Sequence, residues 1–389
     1  MRANQPCIAG IGQTRYTKWG GITEASEIAL ACQAIIAAAA DAGIPVDAVD
    51  GIASFGDDKS EPALVQAALG LKELRLSAML WGGGGGGSCG AVDLAAMAVE
   101  TGQADYAVAV RSLAQGQTGR FGRYDPNWHH ASFIHPFGLL AAPQLLALSV
   151  RRHMHEFGTT QEQLGAFAIA CRAHALRNPA AVMHGKPLDM ETYLSSRIIA
   201  DPLRLYDCCL ETDGACAVLV TRYERARDLA KPIVPILASG HGSSKGWSTG
   251  PLGAHNQPLE TYATTGARTL ARDLYARAGV TPGDIPVAQI YDNFTGLALM
   301  SLEAFGICDP GGGGAFAASG AIQWPHGRVP VNTAGGCLSE AYIHGLNHVV
   351  EGTRQMRGTS TAQVDGARLC LVTGGPGPAP TSALILGRA

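Results

Sequence analysis

Two rhythms of apolar and polar residues alternate along this chain. One is a series of short, wholly apolar runs. The other is a set of longer stretches with helical spacing. Residues 7–11 read as a short buried strand. Thr23 is placed to cap a helix that runs to about Asp41 and stops at Gly43. Gly51 to Phe55 is the next strand. Trp81, the glycines Gly82 to Gly87, and Ser88-Cys89-Gly90 then lead into a helix, Ala91 to Glu100, with hardly a polar face. Such a helix is buried on most sides. Strand Tyr106 to Val110 follows it.

Residues 114–205 break this rhythm. They hold Asp125-Pro126-Asn127-Trp128-His129-His130, a helix from Ala142 to Phe157, and a Thr160/Gln163 capping box opening a helix that ends before Asn178-Pro179. They read as a helical and loop insertion on one side of the sheet. Asp213 to Val220 returns to strand and completes a first half, residues 1–225. The second half, 226–389, repeats the plan. Strand Ile233 to Ser239 is followed by a Gly/Ser-rich loop from His241 to Gly253 and a helix from Thr261 to Ala278. Strand Val287 to Tyr291 comes next. Gly335-Gly336 opens another helix at Ser339, and strands Leu369 to Val372 and Ser382 to Leu386 close the chain. The order "Gly-Gly, helix, strand" at 86–110 recurs at 335–372, so the chain carries an internal repeat of one α/β unit. The fold class is α/β with mixed sheets and helices between and outside them.

Composition agrees with buried layers. Of 389 residues, 47% are hydrophobic and 16% charged, which suits several cores or a large subunit interface. A net charge of −3 gives no electrostatic case for nucleic acid or an anionic membrane. No apolar run is long enough to span a membrane, and no signal peptide is expected ahead of the first strand. The ten cysteines are scattered without C-x-x-C spacing. That pattern predicts reduced thiols in the cytoplasm and no metal site.

The chemistry concentrates at Pro330 to Gly345, where a sharp Gly-Gly turn precedes Tyr342 and His344. At a helix start the free N–H groups and the dipole favour a phenol's anion. Tyr291 ends a strand facing a loop, where α/β sites gather. The six-glycine run lacks a Gly-Lys-Ser/Thr ending, which argues against nucleotide hydrolysis. Asp213 is expected to buttress a turn, Asp207-Cys208-Cys209 to be structural, and His129 and His130 to be exposed loop residues.

With these residues the duplicated plan resembles the thiolase superfamily, in particular its sterol-carrier-protein thiolase-like branch. The resemblance is carried in order by Arg152 to Thr160, Asp201 to Ala215, Tyr291-Asp292-Asn293-Phe294-Thr295, the Gly335-Gly336 stretch and Leu371 to Gly375. It implies a five-layered αβαβα fold of two duplicated halves, a dimer or larger assembly, and acyl-CoA substrates. A thiolase also needs a cysteine at the start of the first buried helix. Gly87 stands in that place here, with Cys89 two residues on. Tyr342 stands where the thiolase histidine belongs, and Tyr291 where the asparagine of Asn-Glu-Ala-Phe belongs. The second thiolase cysteine falls near Leu371, with Cys370 on the other strand face.

The joint replacement suggests a different reaction. Two tyrosines suit retro-aldol cleavage of a β-hydroxyacyl-CoA, which needs no covalent acyl-enzyme. The constellation is similar to that of steroid side-chain aldolases, lyases of lipid metabolism. On that likeness Tyr291, Tyr342 and His344 are the candidate catalytic residues. Amides at Gly86, Gly87, Gly374 and Gly375 are candidate donors to the enolate oxygen, and Ser243 and Ser244 are candidate contacts for coenzyme A. Coenzyme A belongs to the substrate, and no bound cofactor is expected. The resemblance further implies a homodimer joined by a small OB-fold, zinc-ribbon partner, as a heterotetramer. Two other readings stand beside it: an acyltransferase using Cys89, and a non-catalytic acyl-CoA- or lipid-binding subunit.

Overall fold

A computed structural model describes residues 1–56, 58–80, 84–118, 131–244, 263–375 and 380–389. His129, His130, Trp81 to Gly83 and most of the Gly/Ser-rich loop, with the expected helix start at Thr261, lie outside the described residues.

Among the described residues, nine strands form the continuous path of the main sheet: β1 (Pro6–Gln13), β2 (Gly51–Phe55), β3 (Leu76–Leu80), β4 (Tyr106–Leu113), β5 (Thr212–Arg222), β6 (Val234–Gly242), β7 (Ala288–Gln289), β8 (Leu369–Gly374) and β9 (Thr381–Gly387). Their spatial order is β7-β8-β9-β6-β1-β5-β4-β2-β3. From the β6/β1 junction outward, each half reads first strand, last strand, next-to-last, second. β3 then pairs in parallel with β2 on one side, and a parallel bridge from Ala288 to Val331 takes the matching place on the other. Among the described residues, the half-sheets pair along the β1/β6 edge through two register pairs, Cys7 with Pro235 and Ile8 with Val234.

The helices used below are α1 (Glu27–Ala42), α2 (Gly87–Glu100), α3 (Ala142–Phe157), α4 (Gln161–Ala175), α5 (Arg268–Ala278), α6 (Thr295–Ala304), α7 (Gly336–Ser339) and α8 (Leu346–Arg357). Strand alternation sorts their cores. Ala215, Ala217 and Leu219 of β5 face α1, whereas Cys216, Val218 and Val220 face inward. On β9, Ala383 and Ile385 face the outer core with α5, and Leu384 and Leu386 face inward. α2 and α8 share that inner core between the half-sheets, so the layers run α/β/α/β/α. This explains the nearly all-apolar α2: it meets sheet on both sides.

Three boundaries differ from expectation. α1 is capped by Ser26, whose Oγ accepts from the Ala29 N–H, and not by Thr23. α2 opens at Gly87, four residues before Ala91. The largest difference is at the second Gly-Gly turn. α7 ends at Ser339, where a helix was expected to start, and the next helix begins only at Leu346. His344 and Gly345 have φ of +48° and +85°, which a right-handed helix cannot accommodate. Tyr342 and His344 therefore lie in an irregular loop, and the helix-start dipole does not act on Tyr342. The insertion packs on one face of the sheet. It leaves the first half between β4 and β5, yet Leu146, Val150, Leu164 and Phe167 of α3 and α4 pack into the outer core of the second half.

Candidate active site

Strand β7 ends at Gln289, two residues before Tyr291 and short of the expected strand end there, and the Tyr291 N–H donates to Thr373 Oγ1 at 3.0 Å, at the end of β8. Tyr342 sits in the 340–345 loop, which Thr212 holds from both sides. The Thr212 Oγ1 accepts from the Tyr342 N–H at 2.9 Å and donates to its carbonyl at 3.1 Å. These anchors, from strands of opposite halves, set the two phenol oxygens 2.8 Å apart, in hydrogen-bond contact. Tyr291 is buried, and Tyr342 is 8% exposed. Burial, and then the neighbouring Tyr342, push the Tyr291 pKa well above the usual tyrosine value. Tyr291 is therefore a phenol that keeps its proton, and either hydroxyl can donate in the bond between them.

The glycines are explained by what presses on them. A Cβ on Gly85 would land inside the Tyr291 ring, and one on Gly87 would fall 2.6 Å from the Phe55 ring. Gly375, with φ of +57°, packs its backbone on that of Gly86. Gly374 leaves room for the hydroxyls of Ser88 and Ser382. Gly345 leaves room for the Tyr291 ring and the Ser88 hydroxyl. The turn at 85–88, the loop carrying Tyr342, and Gly374-Gly375 thus meet around Tyr291. Gly86, Gly87, Gly374 and Gly375 are brought together there. Ser88, whose Oγ donates to the Gly85 carbonyl at 2.8 Å, joins them although the sequence reading passed it over.

His344 is buried and tilts against the Tyr342 ring, centroids 4.9 Å apart. Its Nδ1 accepts from Arg111 Nε at 3.1 Å. Burial, and then the Arg111 charge, push its pKa well below the usual imidazole value, so it is neutral. Arg111 was missed as a site residue. The available signal was an arginine in the otherwise apolar run of β4, where its exposure is 1%.

Under the tyrosines lies a second missed group, Asp292, Cys337 and His348, all buried. Asp292 Oδ1 accepts from the Cys337 N–H at 2.7 Å and contacts His348 Nε2 at 3.0 Å, while Oδ2 accepts from the Leu338 N–H at 3.3 Å. Cys337 Sγ lies 3.3 Å from the same His348 nitrogen. Asp, Cys and His at this spacing are the donor types of a divalent-metal site. Here the carboxylate is already engaged by two backbone N–H groups and the imidazole. Hydrogen bonding accounts for the cluster as a brace for α7 and the loop that follows it.

Cys89 is placed as a buried free thiol. It lies in the central core, its Sγ 3.6 Å from the Val372 carbonyl, and burial pushes its thiol up to about 12. Cys370 likewise faces the inner core. Ser243 and Ser244 are not brought to the tyrosines either. Ser243 lines a cleft of about 710 Å³ between α2, β6 and α5, to which neither tyrosine contributes. Ser244 Oγ is bonded to the Gly266 carbonyl and the Thr269 N–H. Asp213 ties down Ile22 and Gln115, and Asp207 accepts from Tyr193 and Thr295, so both have structural partners.

A repeated half-sheet order with two buried helices between the halves defines a thiolase-fold protein, one in which two tyrosine hydroxyls meet at the glycine turn. Residues 254–388 match the family model described as "Thiolase C-terminal domain-like". The chain is 42% identical over 395 residues to a 17-hydroxy-3-oxo-4-pregnene-20-carboxyl-CoA lyase of Mycobacterium tuberculosis, covering 100% of both. It is 41% identical over 390 residues to a steroid side-chain-cleaving aldolase of Thermomonospora curvata, covering 98% of this chain and 97% of that one. A solved Ltp2–ChsH2(DUF35) aldolase superposes with a TM-score of 0.92 at 38% identity, over 100% of this chain and 99% of the other. The chain belongs to the thiolase-fold family of steroid side-chain-cleaving aldolases.

Proposed function

We propose that this chain is a carbon–carbon lyase that cleaves a bulky β-hydroxyacyl-CoA, a steroid side-chain CoA ester, by a retro-aldol reaction. The observation that carries this reading is the buried 2.8 Å hydrogen bond between Tyr291 and Tyr342 under a glycine turn, with the Cys89 thiol turned into the core. Tyr342, the more exposed phenol, takes the β-hydroxyl proton. Tyr291 stays protonated and donates to the Tyr342 oxygen, which favours the phenolate form of Tyr342. The Cα–Cβ bond breaks, and its electron pair passes to the thioester as an enolate while the hydroxyl carbon becomes a ketone or aldehyde. Amides of Gly86, Gly87, Gly374 and Gly375 are the candidate donors to the enolate oxygen. The proton returns to Cα, so the reaction is balanced without an acyl-enzyme. The acid–base groups come from the chain, and coenzyme A arrives and leaves as part of substrate and product.

The test is product analysis with a β-hydroxyacyl-CoA panel. Tyr342→Phe is expected to lower kcat by roughly 10² to 10⁴, the scale of losing an acid–base group, while CoA-ester binding survives. Tyr291→Phe should act in the same direction. A stable acyl adduct in intact-mass spectra, abolished by Cys89→Ala, would instead establish acyl transfer. Binding without turnover across the panel would favour an acyl-CoA- or lipid-binding subunit. The proposed assembly is a cytoplasmic homodimer carrying two copies of a small OB-fold, zinc-ribbon partner. The solved aldolase relative, which names two components, supports a partner protein.

A further inference from the structure

A buried arginine needs a reason. Taking a guanidinium out of water costs several kcal/mol, offset only by good pairing. Arg111 is 1% exposed, and its partners include Asp58 Oδ2 at 3.3 Å from its Nη1, the face of Phe55 at 5.1 Å, and His344 Nδ1 at 3.1 Å from its Nε. Asp58 balances the charge, and Phe55 supports the plane. The third contact has a chemical consequence. A guanidinium can only donate. The His344 Nδ1 that it meets must therefore present a lone pair, and the imidazole proton must sit on Nε2. A second proton on Nδ1 would set two donors face to face beside a cation.

We propose that Arg111 is a positioning residue of the lyase site, fixing His344 in the Nε2–H tautomer so that a neutral donor is held beside Tyr342. This rests on the retro-aldol reading and deepens it. The charge that develops during cleavage is negative, on the phenol oxygen or the enolate oxygen. A neutral N–H stabilises it without surrendering a proton to the phenolate, as an imidazolium would. The backbone serves the same end. His344 is held at φ +48°, where a non-glycine residue is strained, and its ring is stacked on Phe55 at 6.1 Å. The titratable or charged groups around the imidazole among the described residues include Arg111 from β4, Asp58 beyond it, Tyr342 on its own loop, and Tyr291 through Tyr342. The nearest formal charge is the Arg111 cation, which opposes protonation in the same sense as burial.

The experiment has two arms. Long-range proton–nitrogen NMR of histidine-labelled wild-type protein, with His344 assigned through His344→Gln, should show the Nε2–H tautomer without titration from about pH 5 to about 8. A proton on Nδ1, or an imidazolium in that range, overturns the proposal. This arm stands whether or not the chain is a lyase. In the kinetic arm, Arg111→Gln should lower kcat roughly 100-fold, the scale of losing one oriented donor, with KM little changed. It should also add an acidic limb to the pH–kcat/KM profile near about 6.5, where a released imidazole protonates. Arg111→Lys keeps the charge but not the planar Nε–H, and should show the same limb weakened. A lower kcat with the wild-type profile in both variants marks Arg111 as structural only and overturns the proposal. Absence of turnover in wild type, with the NMR result as expected, would sink the retro-aldol reading alone.

Discussion

Glu340 opens the loop that carries Tyr342, and it is a buried carboxyl. Its Oε1 accepts from Asn178 and its Oε2 from Asn347, each at 3.1 Å. Burial pushes its pKa up to about 7, against the opposing charge of Arg354. An unfolded glutamate titrates near about 4.3, so between these values the folded state binds the extra proton. Stability from this group is full below the lower value and is lost as pH rises to about 7. Glu340→Gln should remove that slope, by the order of a few kcal/mol, and should raise Tm at neutral pH relative to wild type. The new amide can donate to Asn347 Oδ1, which has no hydrogen-bond partner among the described residues. Equal Tm-against-pH slopes in the two proteins would refute this. At this scale the tyrosines were legible in the sequence because each stands in a motif with a position to fill. Arg111, Asp292, Cys337 and His348 were not read as site residues, because their partners lie 233, 45 and 56 positions away and only tertiary packing joins them.

Among the elements, the glycine turn shows how backbone space becomes function. Gly85 is glycine because the Tyr291 ring occupies the volume a Cβ would need. Gly85→Ala should push the Tyr291 ring aside, break its bond to Tyr342, and lower kcat about 10²-fold, on the scale of losing an acid–base group. Overpacking should cost about 1–3 kcal/mol of stability. Gly70→Ala is the control. Gly70 has positive φ, +65°, but no neighbouring atom within 4 Å, so its variant should lose stability and keep its kcat. If both variants retain wild-type kcat, the turn does not position Tyr291. Strands were readable from their apolar runs and α3 from its spacing. The turns were harder. Gly-Gly at 335–336 signals a sharp bend, but which side of the bend is helical depends on φ at His344 and Gly345. Those angles follow from packing against Tyr291 and Ser88 in the other half-sheet's turn.

For the whole molecule, the half-sheet order leaves β3 at one end of the sheet, paired with β2 on one side. Its residues Ala78, Met79 and Leu80 are only half-buried. An exposed apolar edge is a template for pairing with another chain, and monomers blunt such edges with lysine. Here the edge carries no charge, and Lys72 and Glu73 lie before it in the chain. The proposed homodimer provides the missing cover if β3 pairs with its counterpart in a second copy. β3 also leads toward the 85–88 turn, so this pairing would brace the segment that holds Tyr291 from the first half. Replacing Ala78 and Leu80 by lysine should convert a dimer into a 40.3 kDa monomer by native mass spectrometry or light scattering. If the brace matters, kcat should fall with the dimer, while circular dichroism and the near-ultraviolet signal of the core remain. A wild-type chain that runs as a monomer at micromolar concentration, alone and with the co-expressed partner, would exclude the edge-pairing assembly. A double-lysine variant that stays dimeric would move the interface to another surface and leave the lyase chemistry untouched.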